Sequence, residues 1–366
     1  MTDIVIVTYN AKDKLAMCLR SIAKHTKETP YRLILVDNNS QDGTAEFLKK
    51  NYQGKAVLIF NKKNLGFCGA ANKALRMSTS RWIALLDDDV TVTQDWLSRL
   101  LRHLKSSKKV GIVGCKIVFP NGRIGSSGFK LNPYGMIANN EIDRGQRDYV
   151  RETDALIGPC WVIRRELLQK AGYFDEQFFP SQFEDIDYCI RIRLAGYKII
   201  YDGIVTVIHH HLYRSGTAND LSENRKRFIR KWQRTLKNFK SAHHSPGDKL
   251  IAEGTALVGK EKFWIRRGLW KKITMAHNQV PECAYKAVAL LARKRKKEAL
   301  EEFKKVSVYI AENTKDVNLE IINLCRFLCV YYRRMGLNKE AAREEKRIIR
   351  GLGTVRQLLI EASRPK

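Results

Sequence analysis

Three polar clusters in this 366-residue chain carry groups able to do chemistry: Asp87-Asp88-Asp89, Glu184-Asp185 with Asp187 close behind, and His209-His210-His211. The aspartate run follows an apolar stretch, so it stands at a strand end, where adjacent like charges repel. A divalent cation with oxygen ligands offsets that repulsion. Asp87 and Asp89 are two residues apart, and an extended chain points such a pair the same way. One can hold the metal while its neighbour meets a ribose or a water on the metal; an acidic turn with no ligand is the plainer alternative. The second cluster opens a helix, where carboxylates favour the dipole. Its other reading is a general base that takes the proton of an attacking hydroxyl. The histidines end a strand, and imidazole is a common ligand of transition metals. Three in a row after two acidic clusters point to a metal or phosphate site, with one or two of them facing inward.

The elements that must position these groups alternate. Asp3–Thr8, Arg32–Asp37, Val57–Phe60, Trp82–Leu86 and Val110–Val118 read as strands. Lys12–Lys24, Asp42–Lys50, Gly66–Met77 and Gln94–Leu104 read as the helices between them. Such an order predicts an α/β fold, a mostly parallel sheet with helices on both faces, and ligands at the carboxyl ends of the strands. The polar groups fall there: Thr8-Tyr9-Asn10 after the first strand, Asp37-Asn38-Asn39-Ser40 after the second, and the aspartate run after the fourth. Residues 119–152 read as a long insertion over the site. Glu184–Ala195 reads as a helix stopped by Gly196, and Lys198–Tyr201 and Ile204–Ile208 as two strands. Asn64-Leu65-Gly66 opens a helix with small residues, so a ligand or another backbone can approach closely there. It is neither the dinucleotide G-x-G-x-x-G nor a P-loop, which counts against a dehydrogenase and an ATPase.

The net charge is +29, and residues 211–366 hold 36 Lys and Arg against 16 Asp and Glu. A basic C-terminal part implies an anionic partner: acidic lipid headgroups, a phosphorylated acceptor or nucleic acid. Nucleic acid is disfavoured, since there is no zinc finger, no RNP-type strand and no clear helix-turn-helix. Leu221–Phe239, containing RKRFIRKWQR, reads as a basic amphipathic helix. Its Phe228, Ile229 and Trp232 suit either a membrane interface or packing on the first domain. From Pro281 the chain reads as helical, and Lys297-Glu298-Ala299 recurs as Lys339-Glu340-Ala341, 42 residues on. That suggests two helix pairs of tetratricopeptide (TPR) type, with an unrelated bundle as the alternative. Expected domains are therefore 1–240, a linker at 241–280 and a helical domain at 281–366. The N-terminus reads as a strand rather than a signal peptide. The eight cysteines show no zinc or disulfide spacing, so buried free thiols in a reducing cytoplasm are expected.

Taken in order, IVIVTYN, LVDNNSQDGT, NLGFCGAAN, LLDDD, GPCWVIRR, FEDIDYCIRIRLAGY and VIHHHLYRSG resemble the family 2 glycosyltransferases of the GT-A fold, over about residues 1–240. The EDIDYCIRIRLAGY piece is similar to rhamnosyltransferase-like enzymes of surface-glycan assembly. The resemblance implies a nucleoside-diphosphate sugar donor, a glycan, lipid-linked or protein acceptor, Mg2+ or Mn2+, and inversion at the anomeric carbon. It implies that Thr8, Tyr9, Asn10, Asp37 and Asn39 line the nucleotide pocket, and that Asn64, Gly66 and Asn72 shape it near ribose and phosphates. Asp87, Asp88 and Asp89 would be the aspartate motif, with Asp89 the direct metal ligand and Asp87 beside it. His209 would be the metal-side histidine, replaced by His210 or His211 if the register shifts. Asp185 would be the general base with Glu184 positioning it, and Trp161 would lie in the acceptor or sugar pocket. Many rhamnosyl-type relatives have Asn-Pro-Asp where this chain has three aspartates, which weakens a rhamnose donor and strengthens the metal reading. The expected protein is cytoplasmic, with possible peripheral attachment to the inner face of a membrane. A protein acceptor recruited by the TPR-like part is the alternative, and a degenerate binding protein is the non-enzyme one.

Overall fold

The computed structural model describes residues 1–129, 131–132, 135–136, 143–210, 217–237, 282–313, 328, 331–333 and 335–344. The chain divides into two compact units, one comprising Met1–Pro133 with Asn140–Ala242, the other Tyr134–Asn139 with His243–Lys366. The expected linker at 241–280 and His211 lie outside the described residues. Among the described residues no helix is long and apolar enough to cross a membrane.

The first unit alternates as its hydrophobic pattern predicts: β1 (Thr2–Thr8), α1 (Lys12–His25), β2 (Tyr31–Asp37), α2 (Thr44–Tyr52), β3 (Val57–Phe60), α3 (Gly66–Met77) and β4 (Trp82–Asp87). Then come β5 (Val90–Val92), α4 (Trp96–Ser106), β6 (Val110–Val118) and β7 (Ile124–Ser126). The short strand β8 (Leu131–Asn132) follows and, after β9 (Gly135–Met136), which belongs to the other unit, come β10 (Val150–Thr153), β11 (Cys160–Arg164), α5 (Leu167–Lys170), α6 (Glu184–Leu194), β12 (Lys198–His209) and α7 (Thr217–Lys237). The main sheet runs β10-β12-β6-β11-β4-β1-β2-β3. β1, β2, β3 and β4 are parallel, whereas β11 lies antiparallel between β4 and β6. The order reverses between β1 and β4, and open α/β sheets bind their ligands at such a reversal, at the strands' carboxyl ends. One face of the sheet packs against α1 through Leu15, Cys18, Leu19 and Ile22, and against α4 through Trp96, Leu97, Leu100, Leu101 and Leu104. Central strands covered on both sides are buried along their length, as β6 is, with Lys116 the one charged residue in its run.

Two parts differ from the sequence expectation. The predicted strands 198–201 and 204–208 are one strand, β12, with a register irregularity between Asp202 and Thr206. Asp202 accounts for it: its buried carboxylate takes Arg99 Nε at 3.0 Å, His103 Nε2 at 2.8 Å and its own chain's Ile204 N–H at 3.1 Å. The basic helix begins earlier than expected, at Thr217. Phe228, Trp232 and Leu236, spaced four apart, are buried, and of Phe228, Ile229 and Trp232 only Ile229 is exposed, at 44%. Cys18, Cys68, Cys115, Cys160 and Cys189 are free and buried.

The second unit contains α8 (Glu282–Ala292) and α9 (Lys296–Asn313), joined by a turn with Lys294 at φ 60°. Ala287, Leu290, Ala299, Phe303 and Val306 are buried, and Tyr331 and Tyr332 ring-pack on Phe303. The turn recurs 42 residues later. Arg295 N–H bonds to Leu290 O and Ala299 N–H to Arg295 O, and Leu337 N–H bonds to Tyr332 O and Ala341 N–H to Leu337 O, with Gly336 at φ 80°.

Candidate active site

The first polar cluster is assembled by register. β1 pairs Thr8 with Asp37 of β2 and Val7 with Asp87 of β4, so the ends of three strands stand in one row. After Asp87 the chain turns, and β5 pairs antiparallel with the end of β12, Val90 opposite His209. His210 N–H donates to Asp89 O at 2.8 Å and closes that pairing. This register selects His209: its Nε2 lies 3.0 Å from Asp89 Oδ1 and 3.8 Å from Asp87 Oδ2. His210 points the other way, its Nε2 3.0 Å from Thr91 Oγ1. One ligand atom from each of Asp87, Asp89 and His209 lies within 4.8 Å of the others, a donor set that fits a divalent ion.

The electrostatics of this set are split. Burial, only partly offset by His209, and repulsion from Asp89 and Asp88 push Asp87 up to about 7. Burial also opposes the charge of Asp89, but hydrogen bonding to His209 and the nearby Lys14 outweigh it and hold Asp89 at about 2. His209 is raised, because its bond to Asp89 and the charge of Asp87 outweigh its burial. Lys14, a residue the sequence reading passed over, reaches in from the first turn of α1, with Nζ 3.4 Å from Asp89 Oδ2 and 2.8 Å from His210 O. Its only sequence signal was its place four residues beyond the first strand-end cluster.

The second cluster starts α6. Gln182 and Phe183 both take positive φ, 87° and 73°, which turns the chain sharply into the helix. Asp185 Oδ1 accepts Ile186 N–H at 2.7 Å and Oδ2 accepts Gly158 N–H at 3.2 Å. Burial, against those two bonds, raises Asp185 to about 6. Glu184 is buried, is pushed well up by burial and by Asp185, and has an Oε2 with no hydrogen-bond partner among the described residues. The segment before β11 ties the two clusters together: Gly158 serves Asp185, and Pro159 O accepts Asp87 N–H at 3.1 Å. Asp187, fully buried, accepts Arg191 Nε at 2.9 Å, Trp232 Nε1 at 2.8 Å and Lys231 Nζ at 2.7 Å, which seats α6 against α7.

The remaining predicted residues divide by what they hold. Thr8 is buried, and its Oγ1 has no partner among the described residues. Asn10, at φ 50°, accepts Gln41 N–H at 2.7 Å, and its own N–H donates to Ser40 Oγ at 2.9 Å, linking the loops after β1 and β2. Tyr9 and Asn39 sit partly exposed in the same two loops, with Asn39 at φ 68°. Asp37 is buried and receives Ser40 N–H at 3.2 Å. Asp88 is buried between the two motif aspartates.

Asn38, not singled out from sequence, organises the start of α3. Its Nδ2 donates to Asn64 Oδ1 and Gly66 O, and its Oδ1 accepts Asn61 Nδ2 and Leu65 N–H. The close approach anticipated at Gly66 is made by another backbone. Gly66 has φ 68°, a Cβ there would stand 2.7 Å from Pro180 O, and Phe67 N–H donates to that same oxygen. With Leu65, Gly66 and Phe67 N–H all taken, these amides are committed to the protein itself. Asn72 clamps the same segment further back, with Nδ2 to Phe174 O and Glu176 Oε1 and Oδ1 from Phe174 N–H. Asn64, Gly66 and Asn72 therefore position residues 174–181, which lead into α6. Trp161 is 1% exposed, stacks on Tyr188 at 6.4 Å and donates to Ile157 O. It lies under the site.

Residues 3–172 match the family model described as glycosyl transferase family 2. The chain is 28% identical over 242 residues to protein y4gI of Sinorhizobium fredii, covering 63% of this chain but 26% of that protein. It is 25% identical over 249 residues to the N-acetylglucosaminyl-diphospho-decaprenol L-rhamnosyltransferase of Mycobacterium tuberculosis, covering 59% of this chain and 79% of the other. This chain thus spans about a quarter of the first relative and most of the second. In structure it is similar to GalNAc-T7, solved with UDP, GalNAc and Mn2+, at a TM-score of 0.53 and 16% identity, covering 78% of this chain and 55% of that one. That likeness shows a shared α/β, GT-A-like fold. The reversal of strand order between β1 and β4 and the acidic motif ending β4 agree with that match, and residues 3–172 are the part of this chain that is similar to glycosyl transferase family 2.

Proposed function

We propose that the protein moves a sugar from a nucleoside-diphosphate sugar to an acceptor hydroxyl with inversion, Asp185 being the base. The observation that carries this is the pairing of β12 with β5, which sets His209 against Asp87 and Asp89 while Gly158-Pro159 holds Asp185 beside them. Asp87, Asp89 and His209 would hold Mg2+ or Mn2+, which supplies charge compensation for the diphosphate. Thr8, Tyr9, Asn10, Asp37 and Asn39 would receive the nucleoside at the β1 and β2 ends, and Asp88 would complete the floor. Asn64, Gly66 and Asn72 would act through the 174–181 segment they fix.

Each Asp185 oxygen accepts one backbone N–H, which leaves a lone pair on each to take the acceptor's proton. At about 6, Asp185 is ionised at neutral pH yet basic enough to accept that proton as the new C–O bond forms and the sugar–phosphate bond breaks. Glu184 would orient the acceptor with its unpartnered oxygen, and Trp161 would support the acceptor pocket from below through Tyr188. A lipid-linked acceptor, and with it a role in surface-glycan assembly, is proposed by analogy with the N-acetylglucosaminyl-diphospho-decaprenol L-rhamnosyltransferase of Mycobacterium tuberculosis.

We read residues 1–240 as the catalytic domain, 241–280 as a linker and 281–366 as a TPR-like domain. The turn geometry repeated after 42 residues supports the last. A cytoplasmic enzyme with a glycan or lipid-linked acceptor fits the buried free cysteines and the basic outer face of α7, where Arg230 and Arg234 are exposed. The test is thermal melting with UDP-, GDP- and dTDP-sugars, with and without Mn2+. A metal-dependent rise for one nucleotide class supports the reading, and no rise for any of them overturns it.

A further inference from the structure

The first turn of α1 carries a cation into the site. Lys12 N–H is capped by Asp42 Oδ2 at 2.9 Å and Leu15 N–H bonds Ala11 O at 2.8 Å, so this turn is fixed from both sides. Leu15, Cys18, Leu19 and Ile22 anchor the helix in the core. Lys14 lies beside Asp89 with its side chain 24% exposed. Its two contacts are unequal: Nζ is 2.8 Å from His210 O but 3.4 Å from Asp89 Oδ2. The ammonium is therefore anchored on the backbone at the end of β12 and only loosely held by the carboxylate.

We propose that Lys14 binds the donor's diphosphate, compensating Asp89 while the Asp87–Asp89–His209 set is free and turning to the phosphates when that set holds its cation. This rests on the proposed function. The argument is one of charge. Two ionised carboxylates and a divalent ion sum to zero, and a sugar nucleotide brings about two negative charges, with a further one developing as the diphosphate leaves. Once Asp89 is engaged by a cation, the ammonium 3.4 Å away is repelled from that ion and attracted to the incoming anion, while its bond to His210 O keeps it at the rim. A long, flexible stem with three rotatable donors suits such a transfer of partners.

The test is calorimetric titration of the full chain, wild type against Lys14→Met and Lys14→Arg. Three probes are used: Mn2+ alone, UDP, GDP and dTDP in saturating Mn2+, and the corresponding free nucleosides. Lys14→Met is expected to weaken nucleoside-diphosphate binding about 10- to 100-fold, the range for truncating a charge-assisted hydrogen bond. It should leave nucleoside binding unchanged and Mn2+ binding equal or tighter, since a competitor for Asp89 is gone. Lys14→Arg should stay within about threefold of wild type. Unchanged diphosphate affinity in Lys14→Met overturns the proposal. So does a parallel loss of Mn2+ affinity, which would mark Lys14 as a prop for Asp89 and the 210 backbone. Failure of the wild type to bind any nucleoside diphosphate with Mn2+ overturns the proposed function as well, and is told apart by the wild-type titration alone.

Discussion

Replacing Asp185 by Asn removes the proton acceptor and turns one of its two accepting oxygens into a donor. The amide keeps an oxygen for Ile186 N–H and gives up the bond from Gly158 N–H, and neither neighbour, Gly158 or Ile186, belongs to the loops after β1 and β2. A positioned general base contributes about 10²- to 10⁴-fold, so sugar-nucleotide turnover should fall by about that factor, a loss of roughly 3 to 5 kcal/mol in transition-state stabilisation. Affinity for the nucleoside diphosphate should stay within about threefold. The wild type should show an acid limb near the value of about 6 that burial imposes on Asp185. About nine in ten carboxylates are ionised one unit above that value and about one in ten one unit below, so the rate should drop roughly tenfold between pH 7 and pH 5. The assay is release of nucleoside diphosphate from whichever sugar nucleotide stabilises the protein, in saturating Mn2+ so that Asp87 stays ionised throughout. Stability provides a second readout with the opposite sign. A carboxyl raised from 3.8 to about 6 on folding stabilises the fold below its unfolded value and loses that contribution as pH rises through 6. The wild type should therefore gain melting temperature relative to Asp185→Asn as pH falls from 7 to 5. A variant that is folded and turns over within tenfold of wild type, or a wild-type profile flat from pH 7 to 5, refutes the base assignment.

Asp89→Asn and His209→Ala should abolish the Mn2+-dependent rise in melting temperature, and an undiminished rise in either would remove it from the ligand set. Asp87→Asn should raise the melting temperature of the metal-free protein at pH 7.5, because burial lifts Asp87 from 3.8 to about 7 and the fold loses stability as pH rises between those values; the effect should shrink as pH falls and vanish only below 3.8. Trp232→Phe keeps the ring but leaves buried Asp187 one donor short of the three it has, so denaturant titration should show about 1 to 3 kcal/mol less stability. Its turnover number should fall more than its KM for donor rises, and the reverse pattern would separate α7 from the base. Gly66→Ala meets both a φ of 68° and an oxygen 2.7 Å from the new Cβ, costing about 1 to 3 kcal/mol, measured by the same titration; a variant as stable as wild type would show that the 179–181 segment shifts freely.

Much of the fold was legible because its signals are local. β-branched runs and helical spacing marked β1 to β4 and α1 to α4, and polar residues at strand ends marked where a ligand would lie. β11 was not read as a strand, since its antiparallel place between β4 and β6 is set by partners distant in sequence. The break in β12 looked like two strands because the bonds of Asp202 to Arg99 and His103 cannot be seen along the chain. The site divided in the same way. Residue types alone nominated Asp87, Asp89, Asp185 and a histidine, since buried like charges imply a cation or a proton to move. Which histidine, and whether Gly66 meets a ligand or Pro180, depended on register and on a segment more than a hundred residues away. Lys14 and Asn38 belong to that second kind. A lysine on a helix and an asparagine in a turn are ordinary in sequence, and only the fold brings one to Asp89 and the other to the start of α3. Sequence by itself determined the chemistry on offer, because composition and short spacing carry charge and periodicity. Tertiary structure decided which groups meet, because pairing register and long-range packing choose among neighbours that the chain alone leaves equivalent.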